Sequence, residues 1–214
     1  MELIYNNTAK TIVPSDIMHP TSRKLFRFWE GARGEMAAAK KQQLNLKKVA
    51  QILPSLCILE RHPLEQSYTW RLAGTAIAKL WGHDVTGKSV FNNWQDFERQ
   101  TIANGMDMVI ATMQPCVVRF KATNNNGSEI GVEFLAVPIQ DEKSGAIQIL
   151  GAVVPFRAPD WLGTSDLVHF EISTIRKIWT DSLSTKEGHA TPADYKRSQN
   201  SNAPYLKVIK GGLV

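Results

Sequence analysis

Three apolar alternating runs follow one another near the middle of the chain, "CVVRFKAT", "EIGVEFLAVPI" and "AIQILGAVVPF", separated only by "NNNGS" and "QDEKSG". Connections this short cannot carry a crossover helix, so the three strands must be antiparallel neighbours. Asn and Gly in the first turn supply residues that tolerate positive φ. In the second strand Ile130, Val132, Phe134 and Ala136 share one face.

Two further strands are expected upstream. "SLCILE" is a short apolar run held between Pro54 and "RHP", and "YTWRL" alternates, with Tyr68, Trp70 and Leu72 on one side. Between these strands and the later three lie helical patterns. Ala73, Ile77, Leu80 and Trp81 have helical spacing with Gly82 as a C-cap. A longer stripe runs from Asp96 to Met113 through Phe97, Ile102, Met106, Val109 and Ile110. The order gives an α+β domain, a five-stranded antiparallel sheet with helices on one face. The α/β alternation of doubly wound folds is absent.

N-terminal to this core, Leu25, Phe28, Trp29 and Ala32 form one very apolar helical face, opened by Pro20 and closed near Gly31 and Gly34. That face must pack on the sheet or on a second copy of itself. "NLKKVAQILP" reads as a short helix capped by Asn45 and stopped by Pro54. Residues 1–50 are thus a helical extension, 51–157 the core, and 158–214 a C-terminal extension. "DLVHFEISTIRKIW" fits an alternating strand (Val168, Phe170, Ile172) and a heptad (Val168, Ile172, Ile175, Trp179) equally well. Beyond Ser182 the Ser, Thr, Asn, Lys and Pro content predicts a flexible tail, ending in the apolar-basic "YLKVIKGGLV".

The formal net charge is +5, and the excess lies outside the middle of the chain. "KKQQLNLKK", with Lys40, Lys41, Lys47 and Lys48 and no acid, is either a solvated connector or a contact for nucleic acid or an anionic surface. No secretory leader and no apolar run of membrane-spanning length is present, which points to a cytoplasmic protein. Cys57 and Cys116 lie in apolar runs and read as buried reduced thiols.

"GHDVTGKS" at residues 82–89 spells the Walker A pattern of nucleotide-binding loops. A phosphate loop must leave a buried parallel strand and open a helix. Here "IAKLW" precedes it as a helix end, "VFNNWQDF" follows, and "FLAVPIQD", the nearest source of a magnesium-binding Asp, is broken by Pro138. The glycines serve tight direction changes instead. An NTPase is the least favoured reading.

The same segment carries a resemblance. Tyr68, Arg71, Leu72, Ala73, Gly74 and Thr75, then Gly82, Asp84, Thr86 and Gly87, resemble the signature of a family of small alphaproteobacterial PAS-like proteins first catalogued as a domain of unknown function. Trp29, Glu30, Arg33 and Gly34 match its upstream helix, and the likeness covers roughly residues 20–157. The resemblance implies a PAS fold, a ligand or partner held between sheet and helices, and a sensory role with signal relayed to a partner protein or through self-association.

Residue by residue, the site expectations follow. Neither cysteine lies in the helical segment that covalent flavin chemistry uses, and residues 94–115 hold no His for haem. His62, His83, His169 and His189 are isolated, so no haem, covalent flavin or metal site is expected; any other cofactor is unknown. Trp70, Leu72, Ile77, Trp81, Phe91, Met106, Val109, Met113 and Phe120 would line the space between sheet and long helix, as a ligand pocket or as filled core. Arg71, Arg119 and Lys121 form either cross-strand ion pairs with acids such as Glu129 and Glu133 or an anion site. No hydrolase, kinase, cyclase or helix-turn-helix pattern appears, so no catalytic residue is assigned. The expected protein is a non-enzymatic regulator and a homodimer, with the helix of Leu25, Phe28 and Trp29 as the contact candidate; a nucleic-acid or surface binder is the alternative.

Overall fold

The computed structural model describes residues 13–62, 64 and 67–180. Its elements are α1 (Pro20–Arg33), β1 (Ala39–Lys40), a 3-10 turn at Lys41–Gln43, a 3-10 helix at Leu46–Ser55, β2 (Leu56–His62), β3 (Ser67–Ala73), α2 (Thr75–Trp81), α3 (Asp96–Thr112), β4 (Cys116–Asn124), β5 (Glu129–Gln140), β6 (Ile147–Pro155) and β7 (Leu167–Lys177).

The sheet has the order β3-β2-β6-β5-β4-β7, with β1 pairing in parallel to the end of β5. Five successive members, β3 to β4 in that order, are the five expected strands, and they pair with one another antiparallel throughout. The sheet is nevertheless seven-stranded. β7, from the stretch the sequence left undecided, extends it beyond β4, so alternation prevails there over the heptad. Among the described residues the C-terminal extension therefore contributes to the same sheet. The expected tail beyond Ser182, His189 and the terminal coda lie outside the described residues.

Helices cover both faces rather than one. α2 and α3 pack with Trp70, Val118, Phe120, Phe134, Ala136, Ile149 and Val153 on the inner face. α1 and the 3-10 helix pack with Val117, Leu135, Val137, Leu150 and Ala152 on the other. This follows from strand alternation. On β5, Ile130, Val132, Phe134 and Ala136 point one way and Leu135, Val137 and Ile139 the other, and both sets are apolar. A strand with two apolar faces needs cover on both.

Helix ends follow local chemistry. Pro20 opens α1, His19 Nδ1 caps it by accepting from Thr21 N, and Gly34 terminates it. α3 starts at Asp96 as expected and closes on Met113, which takes a left-handed conformation (φ 54°) before Pro115. Asn45 makes no side-chain cap, and the segment it precedes is 3-10 rather than α-helical, with Pro54 inside its last turn.

Candidate functional site

The resemblance places function between the inner face and α2/α3. Trp70 on β3, Trp81 on α2, Trp94 in the loop before α3, Phe120 on β4 and Phe170 on β7 interlock there. Trp70 meets Trp81 edge-on at 5.4 Å, Trp81 meets Phe170 at 5.4 Å, and Trp94 meets Phe120 at 5.0 Å and Phe170 at 5.1 Å. These edge-to-face contacts fix ring orientations beyond what burial alone would do. They leave a cavity of about 20 Å³, walled also by Val90, Ile102, Val118, Phe134 and Val153. Small-molecule pockets are about 300–1,000 Å³, and one water needs roughly 10–15 Å³, so this void is water-sized.

Of the nine expected lining residues, Trp70, Trp81 and Phe120 reach the void. Ile77, Phe91, Met106 and Val109 are buried in the surrounding core. Leu72 is not there: it is 50% exposed. Ile58 pairs with Leu72 while Leu59 pairs with Trp70, so Arg71 is an extra, unpaired residue. That bulge sends Leu72 to the side opposite Trp70. Met113 is the half-buried C-cap of α3, away from the void. Phe97, counted in the apolar stripe, is 80% exposed in the first turn of α3. Trp94 and Phe170 were missed because their relation to the core depends on a loop and on the seventh strand.

At the rim, Asp107 on α3 accepts from Tyr68 Oη at 2.7 Å and from Arg61 Nε at 2.8 Å. Burial, then the hydrogen bond to this carboxylate, push the Tyr68 phenol far up. α3 is thus tied to the β2–β3 hairpin by one carboxylate.

The anion site is not formed. Arg71 lies on β3, with three strands between it and β4, and pairs with Glu60 at 3.1 Å. Arg119 pairs with Glu133 at 3.1 Å, and Lys121 with Glu129 and Glu171, both at 3.1 Å. The cross-strand ion pairs prevail. Leu25 and Trp29 are fully buried on their own sheet, and Trp29 Nε1 donates to Pro138 O at 2.7 Å. Of the three expected contact residues, Leu25, Phe28 and Trp29, Phe28 alone is half-buried rather than buried. The basic segment is half neutralised: Lys40 pairs with Glu142 at 3.0 Å and Lys41 with Asp141 at 3.4 Å. Hydrogen bonds from Gln42 and Lys143 N hold the Asp141 carboxyl down at about 2.

The Walker lookalike is a strand-side turn. Gly82 is the left-handed C-cap of α2 (φ 83°), and Asp84 accepts from Thr86 N at 2.9 Å. Gly87, at φ 79°, donates to Trp70 O at 2.7 Å; Trp70 N returns a bond to Lys88 O at 3.0 Å, and Val90 N bonds Tyr68 O at 2.9 Å. The Thr86, Gly87 and Lys88 amides are thus spent within the protein, on Asp84, Trp70 O and Val85 O, and Ser89 bridges Thr69 rather than opening a helix.

Both cysteines are free and buried. Burial raises both thiols, Cys116 to about 12, which leaves them protonated and unreactive near neutral pH. His62 Nε2 meets Thr69 Oγ1 at 2.9 Å and His83 lies 3.6 Å from Asp166. Among the described residues no three His, Cys, Asp or Glu side chains gather as a metal site, and no helix is long and apolar enough to cross a membrane.

No curated protein matches the chain. A family model described as PAS domain matches residues 17–154, well over half of the sequence and including α1 as well as β2 to β6. With β2 to β5 and nearly all of β6, the long α3 across them and the glycine-punctuated turn after α2 lying inside the matched span, and only β7 of the sheet wholly beyond it, the chain belongs to the PAS domain family.

Proposed function

We propose that this chain is a cytoplasmic regulatory PAS protein that acts by contact with other protein chains, relays its signal in trans and works as a homodimer. PAS domains suggest a sensory or regulatory role in general. The observation that carries the finer reading is the packed core: about 20 Å³ between sheet and helices is too little for a metabolite or chromophore. With the core occupied by its own aromatics, the surface is what remains for signalling.

One edge of the sheet supports self-association. The outer side of β7 is covered at Phe170, whose N–H donates to Asn93 O. From Ile172 to Lys177 that edge has no backbone partner among the described residues. An open edge strand is a template for another strand. Two copies paired antiparallel about Thr174 would set Glu171 of each opposite Lys177 of the other, so the edge is self-complementary in charge.

A native mass spectrum and absorbance spectrum of the full chain as purified test this reading. A two-chain mass without added mass, and no absorbance beyond the aromatic band, is the expected result. A bound chromophore or metabolite, or a chain that stays monomeric at tens of micromolar, would overturn it. Lys177→Glu should weaken the dimer, and Glu171→Lys added to it should restore part of the loss.

A further inference from the structure

Between α1 and the 3-10 segments lies a surface cleft of about 280 Å³, close to the lower end of small-ligand sites. It is separate from the aromatic core and from the β7 edge, and independent of the dimer reading. Arg27, Phe28 and Gly31 form its α1 wall, and Gln43, Asn45 and Lys48 the other.

Three features of this cleft have no intramolecular purpose among the described residues. The first is charge. Arg27 and Lys48, on the two walls, have no ion pair or side-chain hydrogen bond, a freedom they share with other surface cations such as Lys24, Lys47 and Lys79, whereas the neighbouring Lys40 and Lys41 are paired with acids. The second is amide capacity. The side chains of Gln43 and Asn45 are exposed and make no hydrogen bond, although Asn45 precedes a helix it could cap. The third is Gly31. It lies inside α1, where glycine costs about 1 kcal/mol relative to alanine. A Cβ there would meet nothing within 4 Å, so no packing within the described chain requires its absence. Glycine at that point keeps the cleft floor open beside the half-buried Phe28 ring.

We infer that this cleft binds a small organic oxyanion, a phosphate or carboxylate carried on a flat apolar body. The Arg27 guanidinium and the Lys48 ammonium take the charged group, the Gln43 and Asn45 amides supply further polar contacts, and the flat body lies over Gly31 against Phe28. A nucleic-acid backbone is a poorer fit, since multi-phosphate binding needs a run of free cations and Lys40 and Lys41 are neutralised.

The test uses the full chain with adenosine 5′-monophosphate and 2-naphthoate as probes, adenosine as the uncharged control, and backbone amide shifts together with calorimetry as readouts. At least one charged probe should bind saturably in the submillimolar range, with shifts centred on Phe28 and Gly31. Adenosine should bind at least about tenfold more weakly than its monophosphate. Arg27→Ser with Lys48→Ser should weaken the responding probe by at least about tenfold, and Gly31→Leu should do so while the folded protein melts no lower than the parent. Lack of saturable binding by both probes up to about 5 mM would overturn the inference. So would binding unchanged in these variants, adenosine binding as well as its monophosphate, or an oligonucleotide binding where both probes fail.

Discussion

Glu133 and Arg119 face each other across the β5–β4 pair, 3.1 Å apart, with the carboxylate wholly shielded from solvent. Glu133 also accepts from Met18 N at 3.0 Å and His19 N at 2.9 Å, while Arg119 donates to Asp16 O. One buried carboxylate therefore fastens the chain entering α1 to the outer face of the sheet. Removing it leaves the Arg119 guanidinium without its counter-charge and two backbone N–H groups without their acceptor, which is the costly way to break a buried pair. Glu133→Ala should destabilise the fold by about 3–5 kcal/mol. Urea unfolding of parent and variant measures this, and amide exchange in α1 should speed up more than exchange in β2.

The neighbouring His19 gives a pH dependence. Its ring accepts through Nδ1 from Thr21 N at 3.1 Å, so protonation removes the cap of α1. Partial burial lowers its pKa below the ordinary value, and the Glu133 charge only partly offsets this. The unfolded chain then binds a proton more readily than the folded one, so stability rises with pH. The contribution is complete above the unfolded value near 6.5 and is lost as pH falls through the lowered folded value. His19→Asn keeps a capping oxygen without the titration. Urea midpoints between about pH 7.5 and 5.5 should fall less steeply in this variant; equal slopes would remove His19 from the account.

The central strands and the long helix were legible because their apolar periods are uninterrupted, as in Ile130, Val132, Phe134 and Ala136. Bulges defeated the same reasoning elsewhere. Tyr68, Trp70 and Leu72 alternate in sequence, yet the extra residue Arg71 turns Leu72 outward. On β7 the skipped Val168 is 46% exposed although Phe170 beside it is buried. A period-2 pattern cannot report a one-residue insertion in pairing, because the insertion is set by the partner strand. Helices on both faces were hidden for a related reason. Leu135, Val137 and Ile139 make the outer face of β5 apolar, but only the fold shows that Leu25 and Trp29 cover it.

The segment from Gly74 through the Walker lookalike holds two kinds of residue. Gly74, just upstream, lies against the 3-10 helix: a Cβ there would be 2.3 Å from Pro54 O and 2.5 Å from Leu53 O, both backbone atoms. Those atoms cannot move without displacing the helix, so Gly74→Ala should cost roughly 2 kcal/mol or more. Lys88 is exposed and lends the turn only its backbone. Lys88→Ala should change stability by less than about 0.5 kcal/mol. Thermal melts of both variants check the contrast, and a large loss of ATP affinity in Lys88→Ala would revive the phosphate-loop reading.

The packed core makes the sharpest demand. Trp94 is 6% exposed and touches both Phe120 and Phe170, so its indole is a wall between β4, β7 and the helices. If the space is filled core, truncation removes buried area and opens a hole that rigid neighbours cannot close. Trp94→Ala should then cost about 3–5 kcal/mol. The hole has the shape of the lost ring, so free indole should raise the variant's melting temperature in a concentration-dependent way and leave the parent unchanged. If Trp94 instead bordered a ligand space that opens in solution, its loss would merely enlarge that space. Truncation would cost under about 1 kcal/mol, and indole would stabilise both proteins alike.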